Sequence, residues 1–274
     1  MSSYFPIPPT ICIEELSLNI YGSTTFLNVP NNRLKSNIFE KSDKNIIYLG
    51  LYSLSNNYWS LINVYTCRPY DFLEISRKNL NIDNESMIVL VPKKKNEFPQ
   101  QTNNLPKPDR LRIDNSPVSE RSSLNFTINN NTTSYQGEYP FEMASLKKSS
   151  FLTFDILRSS LNKKVINYII FMNILRDASL QDDVLIEIFK PSDINKNKKI
   201  IAKKNSYTVH KLSEIENFNE PNFYKTNQCS FIPIMFSIDL DSKQLSVEHT
   251  HPPTELFFGS NKFKAVKILK KQWM

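Results

Sequence analysis

The sequence predicts a mainly β protein, one or two antiparallel β-sandwich domains with a short C-terminal α-helix. Three observations carry this expectation. Apolar residues recur at a period of two, as in Ile232, Ile234, Phe236, Ile238 and Leu240, the pattern of a strand with one buried face. Isoleucine, phenylalanine and tyrosine fill the apolar runs while alanine occurs only four times in 274 residues, which favours pleated surfaces over helices. Asn, Ser, Asp and Pro bound the runs, and these are ordinary turn residues.

Each element follows from the same rules. Ile13, Leu16, Leu18 and Ile20 nearly alternate. Leu124, Phe126 and Ile128 do so strictly, and so do Leu152, Phe154 and Ile156. Continuous apolar runs at 46–54, 59–66, 87–91, 168–175 and 184–189 fit strands buried on both faces. Pro233 lacks a ladder donor, so its strand is expected at a sheet edge or to carry a bulge. Only the C-terminus reads as a helix, near 261–272, with Ser260 as N-cap and Phe263, Val266, Leu269 and Trp273 on one stripe.

The segment 93–123 changes character. It holds four prolines, a lysine run and few apolar residues, so it reads as an exposed, mobile loop or linker. The expected division is an N-terminal β-rich part at 1–96, a Pro-rich linker or long loop at 97–117, and a C-terminal β-sandwich with the helix at 118–274.

Composition excludes several chemistries. Gly22, Gly50, Gly137 and Gly259 are the only glycines, and no two lie closer than 28 positions. A dinucleotide fingerprint, a phosphate-cradling loop and a nucleophile elbow each need glycines within a few residues of one another, so all three are absent. The net charge is +7, but 26 of the 34 cations are lysine. Arginine is the residue that forks onto phosphate and stacks on bases, and its scarcity argues against a nucleic-acid partner. A protein or carbohydrate partner is expected instead. Cys12, Cys67 and Cys229 are odd in number and widely spaced, which gives no disulfide framework and points to a reducing compartment. The N-terminus has no basic region followed by an apolar core, and no apolar run is long enough to span a bilayer. A cytoplasmic protein is expected. The basic terminal helix is short, and docking on its own sheet is the expectation over contact with an anionic membrane surface.

The chemically richest stretch is Glu248-His249-Thr250-His251-Pro252-Pro253-Thr254-Glu255. On an extended strand His249 and His251 share a face, with Cα atoms about 6–7 Å apart. With a carboxylate from Glu255 they would form a two-histidine, one-carboxylate face suited to zinc, manganese or iron. His210 is the remaining histidine and a candidate fourth ligand. The spacing from His249 to Gly259 resembles the first metal-binding motif of the cupin superfamily, and the resemblance implies His249, His251 and Glu255 as ligands. The family's opening glycine is missing, and too few residues follow for its second motif, so the chain is not assigned to that superfamily. The alternative is that the stretch is a polar strand end turning into a proline-rigid loop.

Tyr135, Glu138 and Tyr139 surround Gly137 and form a second candidate. Aromatic faces beside a carboxylate suit a sugar or another small polar ligand. A turn or bulge that needs a permissive backbone at Gly137 explains the same residues. Two functions follow. The leading one is a non-enzymatic β-sandwich module that binds or assembles with a glycan, polymer or protein. The rival is a metal-dependent enzyme built on His249-x-His251, with a bound divalent transition metal.

Overall fold

The computed structural model describes residues 2–28, 46–80, 82, 86–111, 121–145, 150–154, 164–190, 193–212 and 222–249. They are mainly β and divide into two compact units, Met1–Ala144 with Leu175–Leu180, and Ser145–Ile174 with Gln181–Met274.

The strands of the first unit are β1 (Ser3–Pro6), β2 (Ile11–Ile13), β3 (Leu18–Leu27), β4 (Ile47–Ser55), β5 (Tyr58–Cys67) and β6 (Phe72–Ser76). After them come β7 (Ile88–Lys93), β8 (Gln101–Thr102), β9 (Arg121–Ile128), β10 (Asn131–Gln136) and β11 (Tyr139–Pro140). One six-stranded sheet runs β11-β1-β7-β4-β5-β8, and a five-stranded sheet runs β10-β9-β3-β2 with β6 also on β3. The length of β3 allows this, because β2 pairs along Leu18–Ile20 and β6 along Ser23–Leu27. Phe5, Leu49, Leu51 and Leu90 of the first sheet share one core with Phe26 and Ile75 of the second. The Phe5 and Phe26 rings meet edge-on at 5.2 Å. Full burial of each such side chain contributes about 1.5–3 kcal/mol. Gly22 permits the closest crossing, since a Cβ there would lie 2.4 Å from the Pro8 carbonyl oxygen.

The near-alternation of 13–20 is a hairpin rather than one strand. Glu14–Leu16 form a single 3-10 turn, Ser17 takes a left-handed conformation, and Ile13 pairs with Leu18. The runs at 46–54 and 87–91 are buried on both faces, whereas β5 is half exposed, with Ile62 at 43%. The reason is position: β8 covers β5 only at Trp59 and Ser60.

The described part of the expected linker, 97–111, packs within the first unit. Lys93 Nζ holds Glu97 and Asp109, each at 2.9 Å. Phe98 lies over Gly50, the Tyr52 hydroxyl donates to the Pro99 carbonyl, and the Tyr4 hydroxyl donates to the Pro106 carbonyl. Leu105 is fully buried and its N–H donates to the Arg176 carbonyl at 2.8 Å. Prolines fix an extended path whose free carbonyls are acceptors, so a strap poor in apolar residues is held by a few anchors. The compact units meet in sequence at Ala144 and Ser145, outside 97–117.

The second unit contains β12 (Ser150–Phe154), β13 (Val165–Met172), β14 (Asp183–Lys190) and β15 (Asp193–Lys203). It continues with β16 (Tyr207–Lys211), β17 (Asn222–Thr226), β18 (Ile232–Asp239) and β19 (Leu245–His249). They form two four-stranded sheets, β12-β17-β14-β15 and β16-β13-β18-β19. Phe171 of one sheet meets Tyr224 of the other at 5.3 Å. Asn173 is fully buried and paired: its amide donates to the Ser230 carbonyl, and its Oδ1 accepts the Asn205 N–H.

Pro233 is not in an edge strand. It pairs with Phe171 of β13 inside the sheet, but the described part of β19 ends at His249, opposite Ile234. The expected helix at 261–272 lies outside the described residues. No helix among the described residues is long and apolar enough to cross a membrane.

Candidate functional site

The residues singled out in the sequence fall in three places. His210 is on β16 and His249 on β19, the two edge strands of one sheet. Ile169 pairs with His210 and with Met235, and Met235 pairs with Glu248, so His249 is one register row away from His210. Three strand spacings put about 14 Å between the two backbones. The fold does not bring His210 to His249. His251 and Glu255 lie outside the described residues, and no group of three or more His, Cys, Asp or Glu that could hold a metal ion occurs among the described residues.

Tyr139 is fully buried and pairs with Tyr4. Tyr135 pairs with the fully buried Leu124, so it belongs to the core side of its sheet, where burial pushes its phenol above the ordinary range. Gly137 continues the β9–β10 pairing past Gln136: its N–H donates to the Ser122 carbonyl, and a Cβ there would sit 2.8 Å from Ser122 Oγ. Glu138 is partly buried, and its Oε1 is enclosed with no hydrogen-bond partner among the described residues. Tyr139 is thus enclosed, while Tyr135 and Glu138 are partly buried.

The opposite face of the same sheet carries a feature that no sequence motif announces. Strand alternation turns Phe26, Leu73, Ile75, Leu124 and Phe126 to the core and leaves the odd positions of β3 and β9 and the even positions of β6 on the other side. Across that side runs a hydrogen-bonded row. Ser134 Oγ donates to Asn125 Oδ1 at 2.8 Å, Asn125 Nδ2 to Ser23 Oγ at 3.3 Å, and Ser23 Oγ to Glu74 Oε1 at 2.8 Å. Four strands, β10, β9, β3 and β6, contribute one residue each. All three bonds point the same way, so each polarises the next. The row is tight in the middle, where Ser23 and Asn125 are buried, and open at its ends, where Glu74 and Ser134 are exposed. A second pair, Thr127 Oγ1 and Thr132 Oγ1, lies 2.9 Å apart on the same face.

Aromatic groups stand at both ends. Tyr21 carries the Lys78 ammonium 5.0 Å from its ring centre. At the other end Leu27 and Phe72 are directly paired and exposed, Phe72 at 64%. Beside them Tyr70 adopts φ 66°, a left-handed conformation that a bulky residue takes at a cost of about 1–3 kcal/mol. The backbone around it is over-determined. Tyr70 N–H donates to the Asn28 carbonyl, Asn28 N–H to the Asp71 carbonyl, and Asp71 N–H to the Arg68 carbonyl. Asp71 Oδ2 accepts the Arg68 N–H.

In the second unit a groove of about 380 Å³ is lined by Leu185, Glu187, Lys225, Thr226, Asn227 and Gln228. Glu187 and Lys225 pair at 3.1 Å, and Gln228 Oε1 accepts the Leu185 N–H. Its polar groups therefore largely satisfy one another.

Comparison with protein-family models, with curated proteins and with solved structures finds no match to this chain.

Proposed function

We propose that the chain is a non-enzymatic module, built from β-sandwich units, that binds or assembles with a glycan, polymer or protein partner. The single observation that carries this reading is the row Glu74–Ser23–Asn125–Ser134, with the exposed Phe72 on the same side of the sheet, away from the core. A sheet face with no partner needs only scattered polar groups. A continuous polarised row with open polar ends suits recognition, because its hydrogen-bonding capacity is pre-ordered and the exposed Phe72 ring supplies contact area at little entropic cost. The shared core of the two sheets in the first unit supports the sandwich description and makes this face rigid. Saturable binding of a partner that is recovered chemically unchanged, weakened when Asn125→Ala breaks the row, is the expected result. Mass spectrometry that finds the bound molecule cleaved or modified would overturn the non-enzymatic reading.

A further inference from the structure

We infer that the partner of the β6-β3-β9-β10 face is a neutral, hydroxyl-rich glycan chain, with sugar rings against Phe72 and Tyr70 and hydroxyls on the polar row. This inference rests on the binding-module reading above and names its ligand class.

The chemistry of the row selects the ligand. The Ser134 and Ser23 hydroxyls and one Asn125 N–H all donate toward β6, so the groups left at the exposed ends are acceptors: the Ser134 hydroxyl oxygen and the Glu74 carboxylate. The paired hydroxyls of Thr127 and Thr132 extend the polar lattice by one row. Such a surface fits a molecule rich in O–H donors. Glu74 lies two residues from Phe72 on the same side of β6, so a ring stacked on Phe72 is better neutral than acidic, while the Lys78 ammonium stands at the far end of the face, over Tyr21.

The ends of the face select shape. Phe72 is 64% exposed, Leu27 41% and Tyr70 39%. The weakly positive C–H face of a pyranose ring stacks on the negative face of an aromatic ring, and the sugar's equatorial hydroxyls then reach sideways to polar neighbours. A protein partner would need a broader apolar centre than these three residues at one end of a polar sheet. The strained backbone at Tyr70 supports a positioning role. Glycine or asparagine fits a left-handed turn at little cost, yet this turn carries a tyrosine whose backbone is held through Asn28 and Asp71. From Leu27 to Tyr21 the face runs about 20 Å, and across its four strands about 14 Å. That span suits several sugar units rather than one.

The test uses the full chain and calorimetric titration with neutral hexaoses of β-1,4-glucan, β-1,3-glucan, β-1,4-mannan and β-1,4-xylan, with heparin and polygalacturonate as acidic arms. At least one neutral hexaose is expected to bind, and its monosaccharide at least tenfold more weakly. Phe72→Ala and Tyr70→Gly should each weaken binding tenfold or more. Tyr70→Gly is the sharper variant, because it relieves the backbone and should raise the melting temperature while it removes affinity. Glu74→Gln should weaken binding severalfold, and Glu187→Gln in the second unit should leave it unchanged. Affinity that survives both Phe72→Ala and Tyr70→Gly overturns the site. Binding of the acidic polysaccharides alone overturns the neutral class and leaves the binding-module reading standing. Absence of binding by every saccharide overturns the glycan inference and leaves a protein partner for that module. Conversion of a hexaose to products overturns the module reading itself.

Discussion

Trp59 and Arg176 stand 117 positions apart and are joined by one hydrogen bond, from the indole N–H to the Arg176 carbonyl at 2.9 Å. The same carbonyl accepts the Leu105 N–H at 2.8 Å. Three distant stretches of the first unit, β5, the 97–111 strap and Leu175–Leu180, thus converge on one oxygen. Trp59 is fully buried, so the contact is sheltered from water.

Trp59→Phe should therefore destabilise the first unit by about 2–4 kcal/mol, from the lost indole donor together with the cavity left by the smaller ring. Urea unfolding followed by far-ultraviolet circular dichroism measures it. A loss below about 0.5 kcal/mol would mean that the convergence on Arg176 does not hold the unit together.

The strap gives a second prediction. Hydrogen exchange should show slow amides at Leu105 and Asp109, which donate to the Arg176 and Pro92 carbonyls. Gly50→Val should speed exchange at Leu105, because even the first side-chain carbon at position 50 would lie 2.5 Å from the Phe98 ring and lift that anchor. Fast exchange across the whole of 97–111 in the unmodified protein would restore the free-linker description.

Much of the strand inventory was legible because alternation and β-branched runs are local signals. The runs that became β4, β7, β13, β14 and β18 lie within a residue or a few of their observed bounds. One local reading failed for a nameable reason: the residues 13–20 hide a turn, since Ser17 can take a left-handed conformation without glycine. The anchors of the 97–111 strap are invisible to composition, since they are carbonyls and the single buried Leu105 rather than an apolar run. The candidate site was the least legible. Asn125 and Thr127 were visible as the polar half of an alternating strand, but nothing in the sequence says that Asn125 meets Ser23 and Ser134. Pairing register is a property of the assembled sheet. The histidine pair shows the same limit from the other side, because alternation places His249 relative to its own strand and says nothing of where His210 lies.

The thiols test the core from within. Cys12 is exposed, whereas Cys67 and Cys229 are buried. Burial pushes the Cys67 thiol up to about 11 and the Cys229 thiol up to about 12, from an ordinary 9.0. A thiol reagent at pH 8 should label Cys12 in the native protein and the other two only on unfolding. Below pH 9 both the folded and unfolded states hold these protons, and the contribution to stability is complete. Between pH 9 and 12 the unfolded chain releases them first, so stability falls, by at most about 1.4 kcal/mol per pH unit for each thiol. Urea midpoints at pH 8.5, 9.5 and 10.5 should decline, and decline less in Cys67→Ala/Cys229→Ala. An identical slope in that variant would place the alkaline sensitivity elsewhere, with the buried phenols of Tyr4 and Tyr52 the next groups to replace.

Zinc titration separates the histidines. His210 and His249 occupy opposite edges of the β16-β13-β18-β19 sheet, with two strands between them. Ligands of one zinc ion bond it at about 2.0–2.1 Å, which requires their imidazoles to converge on a single point. Backbones about 14 Å apart and one register row out of step do not present two imidazoles to such a point. His210→Ala should therefore leave zinc affinity within twofold of the unmodified protein, whatever that affinity is. His249→Ala and His251→Ala are the variants that bear on a metal centre, since strand alternation relates those two residues to each other and not to His210. A tenfold loss of affinity in His210→Ala would contradict the sheet register. A tenfold loss confined to His249→Ala and His251→Ala would leave the register intact and establish a metal site at the end of β19.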